Sequence, residues 1–309
     1  MRIAVVGVGG TGGYFGGLLA RAGEDVTFIA RGATLAALRA DGLTVESRVE
    51  GTFTIPVRAT DDPALVGPVD LVLFCVKAYD TATAAAQIRP LLGTETLILS
   101  VQNGVDNEER IAEVVGPAPV IGAIAGVSAH SRAPGVIVVA QEPGQLRFGE
   151  LAGGTSPRTE QLLRVFQRAA FTATLDPDIR TQLWEKFVFI CALSGVTSLV
   201  RLPIGQILRY PETTQLYRGV MAEGAAVGRA RGVELSDERV ESWFQVSTQI
   251  SPAVYGSMYH DLAAGRRLEV EALNGTVVRF GQDYGIPTPL NFAIFAALRP
   301  YADGSPAPM

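Results

Sequence analysis

Lysine is almost missing from this 309-residue chain. Of its 26 basic side chains all but Lys77 and Lys186 are arginine. Histidine (His130, His260) and cysteine (Cys75, Cys191) are equally scarce, and charged residues make up only 18%. Each shortage excludes something. Two cysteines in apolar runs give neither a disulfide framework nor zinc-ligand spacing, and fit reduced thiols in a cytoplasmic setting. Two histidines without carboxylate-rich spacing around them predict no metal. A net charge of −5 supplies no basic footprint for nucleic acid or for an anionic membrane. No secretory signal is expected, because the first residues already read as a strand and a glycine turn. The longest apolar stretch, Phe187 to Val200, is interrupted by Ser194, Gly195, Thr197 and Ser198. It falls short of the roughly 20 residues of a spanning helix, which predicts a buried helix and no membrane partner.

Apolar residues, at 48%, and glycine, at 34 positions, are what the chain has in quantity. The length suits about two domains with cores of their own. The organising stretch comes first. Ile3 to Val6 reads as a buried parallel strand, and Gly7-Val8-Gly9-Gly10-Thr11-Gly12 follows as G-x-G-x-x-G before a helical segment containing Leu18 and Leu19. In that setting Gly7 allows a tight turn, Gly9 lets a pyrophosphate approach the backbone, and Gly12 lets helix and strand pack closely. The phosphates then sit on the unpaired N–H groups at the positive end of the helix.

Val26 to Ala30 reads as the second strand and ends on Arg31. A dinucleotide fold meets the adenosine ribose here, and a guanidinium suits a 2′-phosphate where a carboxylate would suit a 2′-hydroxyl. NADP is therefore expected over NAD, although a strand end is also an ordinary place for an arginine. Val69 to Val76 and Glu95 to Val101 read as further buried strands, followed by Lys77 and by Gln102-Asn103-Gly104. Ligands of open α/β sheets bind beyond such carboxyl ends, which puts Lys77 and Asn103 on the cofactor edge; Asn-Gly is also a common turn. Strands are expected at Val120 to Val127, Gly135 to Val139 and Gln145 to Phe148, then a helix from Pro157 and a last strand at Thr172 to Leu175. After Asp176-Pro177-Asp178 the pattern turns helical. The fold class is thus α/β, with a Rossmann-type dinucleotide-binding domain at 1–178 and an all-α domain at 179–309. The tail from Asp303 to Met309, rich in Pro, Gly and Ser, is expected to fray.

The scarcity of lysine gives the two that remain weight, since lysine has a transferable proton and a pKa that moves on burial, whereas arginine is fixed. Lys186 precedes the apolar run and shares a helix face with Ile190 and Ser194; beside such a run a lysine can also simply snorkel. Ser257 and Asp261 are likewise four apart on a later helix, and Glu269 is expected to open the helix after it.

Taken together, the Gly7–Gly12 loop, Arg31, Lys77 in Val76-Lys77-Ala78, Gln102-Asn103-Gly104, Trp184-Glu185-Lys186, Ser257-Met258 with Asp261, and Glu269 resemble the ketopantoate reductase (2-dehydropantoate 2-reductase) family over nearly the whole chain. The resemblance implies NADPH-dependent reduction of the C2 carbonyl of a 2-keto acid, with ketopantoate reduced to pantoate in pantothenate biosynthesis. It implies that Lys186 holds the carbonyl oxygen and supplies the proton, that Glu269 positions substrate or lysine, that Asn103 bridges cofactor and substrate, and that Ser257 binds the carboxylate end. The family carries asparagines where this chain has Ile190 and Ser194, and by the same register at Val254 and Ile204. A more apolar pocket follows, and with it a related, less polar 2-keto acid as the alternative substrate. A non-catalytic NADP-binding regulatory protein of the same fold is the rival from another class, and the apolar helices of the second domain permit a homodimer.

Overall fold

A computed structural model describes residues 1–49 and 51–306, with 141–143 described by backbone alone. The chain divides into two compact units, Met1–Gln102 with Asn107–Ile179, and Asn103–Asp106 with Arg180–Met309.

The first unit is one ten-stranded sheet with its helices. In chain order these are β1 (Arg2–Val6), α1 (Gly10–Arg21), β2 (Asp25–Ile29), α2 (Gly32–Asp41), β3 (Leu43–Glu46), β4 (Thr52–Ile55), β5 (Arg58–Thr60), β6 (Val69–Phe74), α3 (Thr81–Gln87), β7 (Leu92–Ser100), α4 (Asn107–Val115), β8 (Val120–Ala133), β9 (Val136–Gly149), α5 (Pro157–Phe166) and β10 (Thr172–Leu175). The strands lie in the order β4-β3-β9-β8-β7-β6-β1-β2-β5, with β10 also pairing with β9. The central β7-β6-β1-β2 pairs are parallel, and β8–β9 and β3–β4 are antiparallel. The central strands are apolar on both sides, as helix-covered parallel strands must be. Ile3, Val5, Leu71, Leu73, Leu97 and Leu99 face one core, while Ala4, Val6, Val72, Phe74 and Ile98 face the other.

The first of those cores is built around α1, which is buried continuously from Gly12 to Leu19. A helix covered on every side needs small residues on every side. A Cβ on Gly13 would stand 2.6 Å from Ile137 of β9, one on Gly16 2.8 Å from Phe28 of β2 and Val5 of β1, and one on Gly17 3.0 Å from Leu43 of β3. Strands from both ends of the sheet thus come against one helix.

Two features differ from the sequence expectation. The stretches expected at Gly135 to Val139 and Gln145 to Phe148 are not separate strands; from Val136 on they are parts of β9, which pairs with an equally long β8, and Gly135 lies in the turn between the two. The pairing absorbs its irregularities as register shifts at Gly126/Ser128, Ser128/Ala129 and Ser131/Ala133. Gly144 does not break it, because its N–H donates to the Tyr14 hydroxyl at 3.0 Å, where a side chain would meet the Tyr14 ring. The apolar stretch from Phe187 is the later part of a longer helix, α6 (Ile179–Val200), whose 22 residues pass for a membrane-crossing helix by length and composition; 78% of its most apolar window is buried inside the protein.

The second unit continues from α6 with α7 (Ile204–Ile207), α8 (Pro211–Ala230), α9 (Asp237–Gln249), α10 (Ser257–Ala263), a π-helical turn at Glu271–Gly275, α11 (Thr276–Tyr284) and α12 (Pro289–Leu298). Helix α8 crosses α6 at two glycines four residues apart: Gly224 lies on Val188 and Gly228 on Trp184. Trp184 is 3% exposed there, and a fully buried large apolar side chain contributes about 1.5–3 kcal/mol. Of the tail expected to fray, residues 307–309 lie outside the described residues.

Candidate active site

In the first unit the candidate residues gather at the carboxyl ends of three adjacent strands. Gly7 leaves β1 with φ +96°, and a Cβ on it would lie 2.8 Å from the Cys75 and Val76 backbone. Gly12 comes so near the turn that a Cβ would sit 2.1 Å from the Gly7 carbonyl oxygen. Gly10 is closed in the same way, by the Ala129 carbonyl of β8. Gly9 is the opposite case: it is exposed and nothing lies within 4 Å of where its side chain would point. Three glycines here serve the fold, and the fourth leaves backbone open at the start of a twelve-residue helix that has no side-chain cap. Those free N–H groups are what a phosphate binds. Val8 and Thr11 flank the opening and are half-buried.

Arg31 follows β2, is exposed, and takes an extended conformation as the residue before α2. Lys77 follows β6 in an extended conformation, and its carbonyl accepts the Asp80 N–H at 2.8 Å. A residue not singled out from the sequence holds this turn. Gln102, 6% exposed, donates through Nε2 to the Val76 carbonyl at 2.9 Å and to Thr81 Oγ1 at 2.8 Å. The adjacent Asn103 belongs with the second unit. There Asp106, four residues into that segment, takes a hydrogen bond from Arg279 Nη2 at 2.7 Å.

In the second unit α6 is the spine. Lys186 and Ile190 are partly buried on one of its faces, and Ser194 is fully buried two turns beyond Lys186. Loss of solvent is the cause that brings the Lys186 ammonium down to about 8. Two other segments dock on the next turns of the helix. Gly256 approaches so closely that a Cβ would stand 2.4 Å from the Ser194 Cα, and its N–H donates to Thr197 Oγ1 at 3.1 Å. This contact delivers Ser257, exposed at the start of α10, beside α6. The Ser194 hydroxyl, covered by Gly256, has no hydrogen-bond partner. From the other segment, Asn274 donates to the Cys191 carbonyl at 3.3 Å. Its turn is entered from Glu269, which is 8% exposed.

Asp261 is 8% exposed and is engaged by Arg266 Nε at 2.9 Å, so a neighbouring cation holds it. Glu185, next to Lys186, is bound by Trp243 Nε1 at 3.1 Å and by Arg239, which fastens α9 to α6. Asn274, Asn291 and Glu223 form a polar chain, fully buried at its two asparagines, that sequence reasoning missed. Its only trace in the sequence is a pair of asparagines within apolar helical stretches. Both thiols are free, and burial pushes each up in pKa, so neither Cys75 nor Cys191 is an activated nucleophile. Among the described residues no cluster of three or more His, Cys, Asp or Glu is placed to hold a metal ion.

Comparison with known proteins gives two family matches: the model described as ketopantoate reductase PanE/ApbA matches residues 3–153, and its C-terminal counterpart matches 178–302. The 2-dehydropantoate 2-reductase of Archaeoglobus fulgidus is 32% identical over 305 residues, covering 98% of each chain. The crystal structure of a PanE/ApbA family ketopantoate reductase from Ralstonia eutropha JMP134 is 33% identical, covers 98% of each chain and superposes with a TM-score of 0.90. D-mandelate dehydrogenase, solved with NADH and anilino(oxo)acetate, also reaches 0.90 over 98% of each chain; at 20% identity it shares the fold.

Proposed function

The chain belongs to the ketopantoate reductase family, and from that premise we propose that it reduces ketopantoate to pantoate with NADPH, in pantothenate biosynthesis. The observation that carries the reading is Lys186. It is one of only two lysines, lies on the helix onto which both other candidate segments dock, and is tuned to about 8. NADPH, when bound, supplies a hydride for C2 of the keto acid. The open backbone at Gly9 and the start of α1 fit its pyrophosphate, with Val8, Gly10 and Thr11 around it. Arg31 fits the 2′-phosphate, and Lys77 and Asn103 complete the cofactor contacts.

Lys186 does the acid work. As an ammonium it hydrogen-bonds the carbonyl oxygen, and as negative charge develops there it gives up a proton, leaving the 2-hydroxy acid and a neutral amine that recovers its proton from solvent. A pKa near 8 keeps the lysine mostly charged at neutral pH while making its proton easier to give than that of an ordinary lysine. Glu269 orients the ammonium, Asn103 reaches toward the substrate carbonyl, and Ser257 takes the carboxylate. Asp261, held by Arg266, lies one turn along α10 from Ser257, and Ile190 forms the floor; Ser194, sealed under Gly256, lies beneath that floor and does not meet the substrate. Two free, non-activated thiols accord with a cytoplasmic setting.

The partly exposed Ile190 on the Lys186 face favours one second reading, a less polar 2-keto acid. NADPH oxidation with ketopantoate beside unsubstituted branched 2-keto acids, on wild type and Lys186→Ala, separates the two. Efficient ketopantoate turnover that disappears with the lysine supports the first reading. Preference for an acid without the hydroxyl supports the second, and activity that survives the substitution overturns the mechanism.

A further inference from the structure

The geometry points to Asn274 as a positioning residue that fixes the register of Glu269 against Lys186, and this inference rests on the roles given above to those two side chains. Asn274 lies in the π-helical turn, where the Gly275 N–H reaches back five residues to the Val270 carbonyl at 2.9 Å and the Leu273 N–H bonds the Glu269 carbonyl at 3.0 Å. Such a turn is rare and departs from the regular helix that follows it. Asn274 is wholly buried, so it cannot touch substrate.

Its orientation follows from a chain of obligatory donors and acceptors. Glu223 accepts the Leu290 and Asn291 backbone N–H groups, each at 2.9 Å, at the start of α12. Asn291 Nδ2 must therefore be the atom that donates to Glu223 at 2.8 Å and to the Val220 carbonyl at 3.2 Å, since neither partner can donate. That leaves Asn291 Oδ1 facing Asn274, so Asn274 presents Nδ2, which donates to Asn291 at 2.9 Å and to the Cys191 carbonyl at 3.3 Å. The remaining atom, Asn274 Oδ1, is buried without a partner. Gly195 leaves just enough room for it, because a Cβ there would stand 2.8 Å from that oxygen.

An orphaned acceptor is a cost, and the bond to Cys191 is what it secures. Cys191 is five residues beyond Lys186, and Asn274 is five residues beyond Glu269. One amide thus pins the turn entered from the carboxylate to the helix that carries the lysine. Asn291 and Glu223 orient that amide, whereas the bond to Cys191 sets the register.

The test compares Asn274→Ala and Asn274→Asp with Asn291→Ala. Asn274→Asp keeps the shape but turns an oxygen toward two acceptors. Asn291→Ala removes a buried bond yet leaves the Cys191 carbonyl to select Nδ2. Both Asn274 variants are expected to lower kcat by about 10–100-fold, the scale of a sub-ångström misplacement, with KM for NADPH unchanged. Asn291→Ala is expected to lower Tm comparably with kcat almost intact. The second readout needs no turnover: the rate of Lys186 acetylation relative to Lys77, read by peptide mass spectrometry, changes severalfold in the Asn274 variants and not in Asn291→Ala. If kcat merely tracks Tm across the three variants and the labelling ratio stays constant, the inference is overturned. A wild type that reduces no 2-keto acid would instead sink the proposed function, and the labelling ratio would still decide whether Asn274 sets the environment of Lys186.

Discussion

The two units build their candidate sites by opposite means. In the first, the candidate site is built on backbone: in the run from Gly7 to Gly12, the glycines at 7, 10 and 12 are closed by neighbouring backbone and Gly9 is open. In the second, it is side chains: a lysine on one helix, a serine on another, and a glutamate before a π-helical turn, joined through Gly256, Thr197 and Asn274. Backbone sites are set by local conformation, so they tolerate almost no substitution. Side-chain sites are set by packing, so their geometry is adjustable at positions that never meet the substrate.

The sharpest way to break this comparison is Lys186→Ala. It is expected to lower kcat by about 10²–10⁴-fold, the usual worth of general acid help, while NADPH binding, measured by fluorescence titration, stays unchanged. Loss of cofactor binding in that variant would mean that Lys186 also serves the cofactor, and the contrast would fail. Next comes a contrast inside the glycine loop. Gly12→Ala is expected to destabilise the fold by about 1–3 kcal/mol, the cost of overpacking a closed contact, visible as a fall in Tm. Gly9→Ala, with open space around it, is expected to leave Tm unchanged and to weaken NADPH. If both variants moved Tm equally, Gly9 would be a structural glycine too.

Arg31→Ala is expected to reduce the preference for NADPH over NADH by about tenfold, the low end for a charged hydrogen bond at an exposed site. Parallel KM measurements with the two cofactors read this directly.

The smallest effect is a pH dependence with opposite signs in activity and stability. Lys186 is lowered from 10.5 to about 8. As pH rises through 8 the ammonium is lost and kcat falls. Between about 8 and 10.5 the unfolded chain holds the proton more tightly than the folded one, so the contribution of this residue to stability rises over the same window. Thermal melts of wild type and Lys186→Met at pH 7.5 and 10 are expected to show the difference shrinking at the higher pH.

How much of this was legible in the sequence follows the same division. The glycine loop, Arg31 and Lys77 could be read because each stands at a strand end, and period and turn chemistry mark strand ends. The face shared by Lys186, Ile190 and Ser194 follows from helical spacing alone. That the Ser194 hydroxyl lies sealed under Gly256, that Asp261 is occupied by Arg266, and that Gln102 holds the Lys77 turn depend on which segments meet. The strand Val136–Gly149 reads as two in the sequence because Pro143 and Gly144 interrupt its pattern, and sequence alone does not show that Tyr14 receives that glycine.

The sequence by itself determined the class of the fold, the place of the glycine loop between β1 and α1, and the two lysines that single out a candidate, since these rest on local periodicity, on backbone conformations that only glycine permits, and on the near absence of an amino acid. Only the tertiary structure decided that α1 is enclosed by strands from both ends of the sheet, that Asn103 goes with the second unit, and that Asn274 ties the turn after Glu269 to α6. Those are long-range contacts between residues tens to hundreds of positions apart. Their geometry comes from close packing and hydrogen-bond satisfaction in the folded chain, which leave no periodic mark along it.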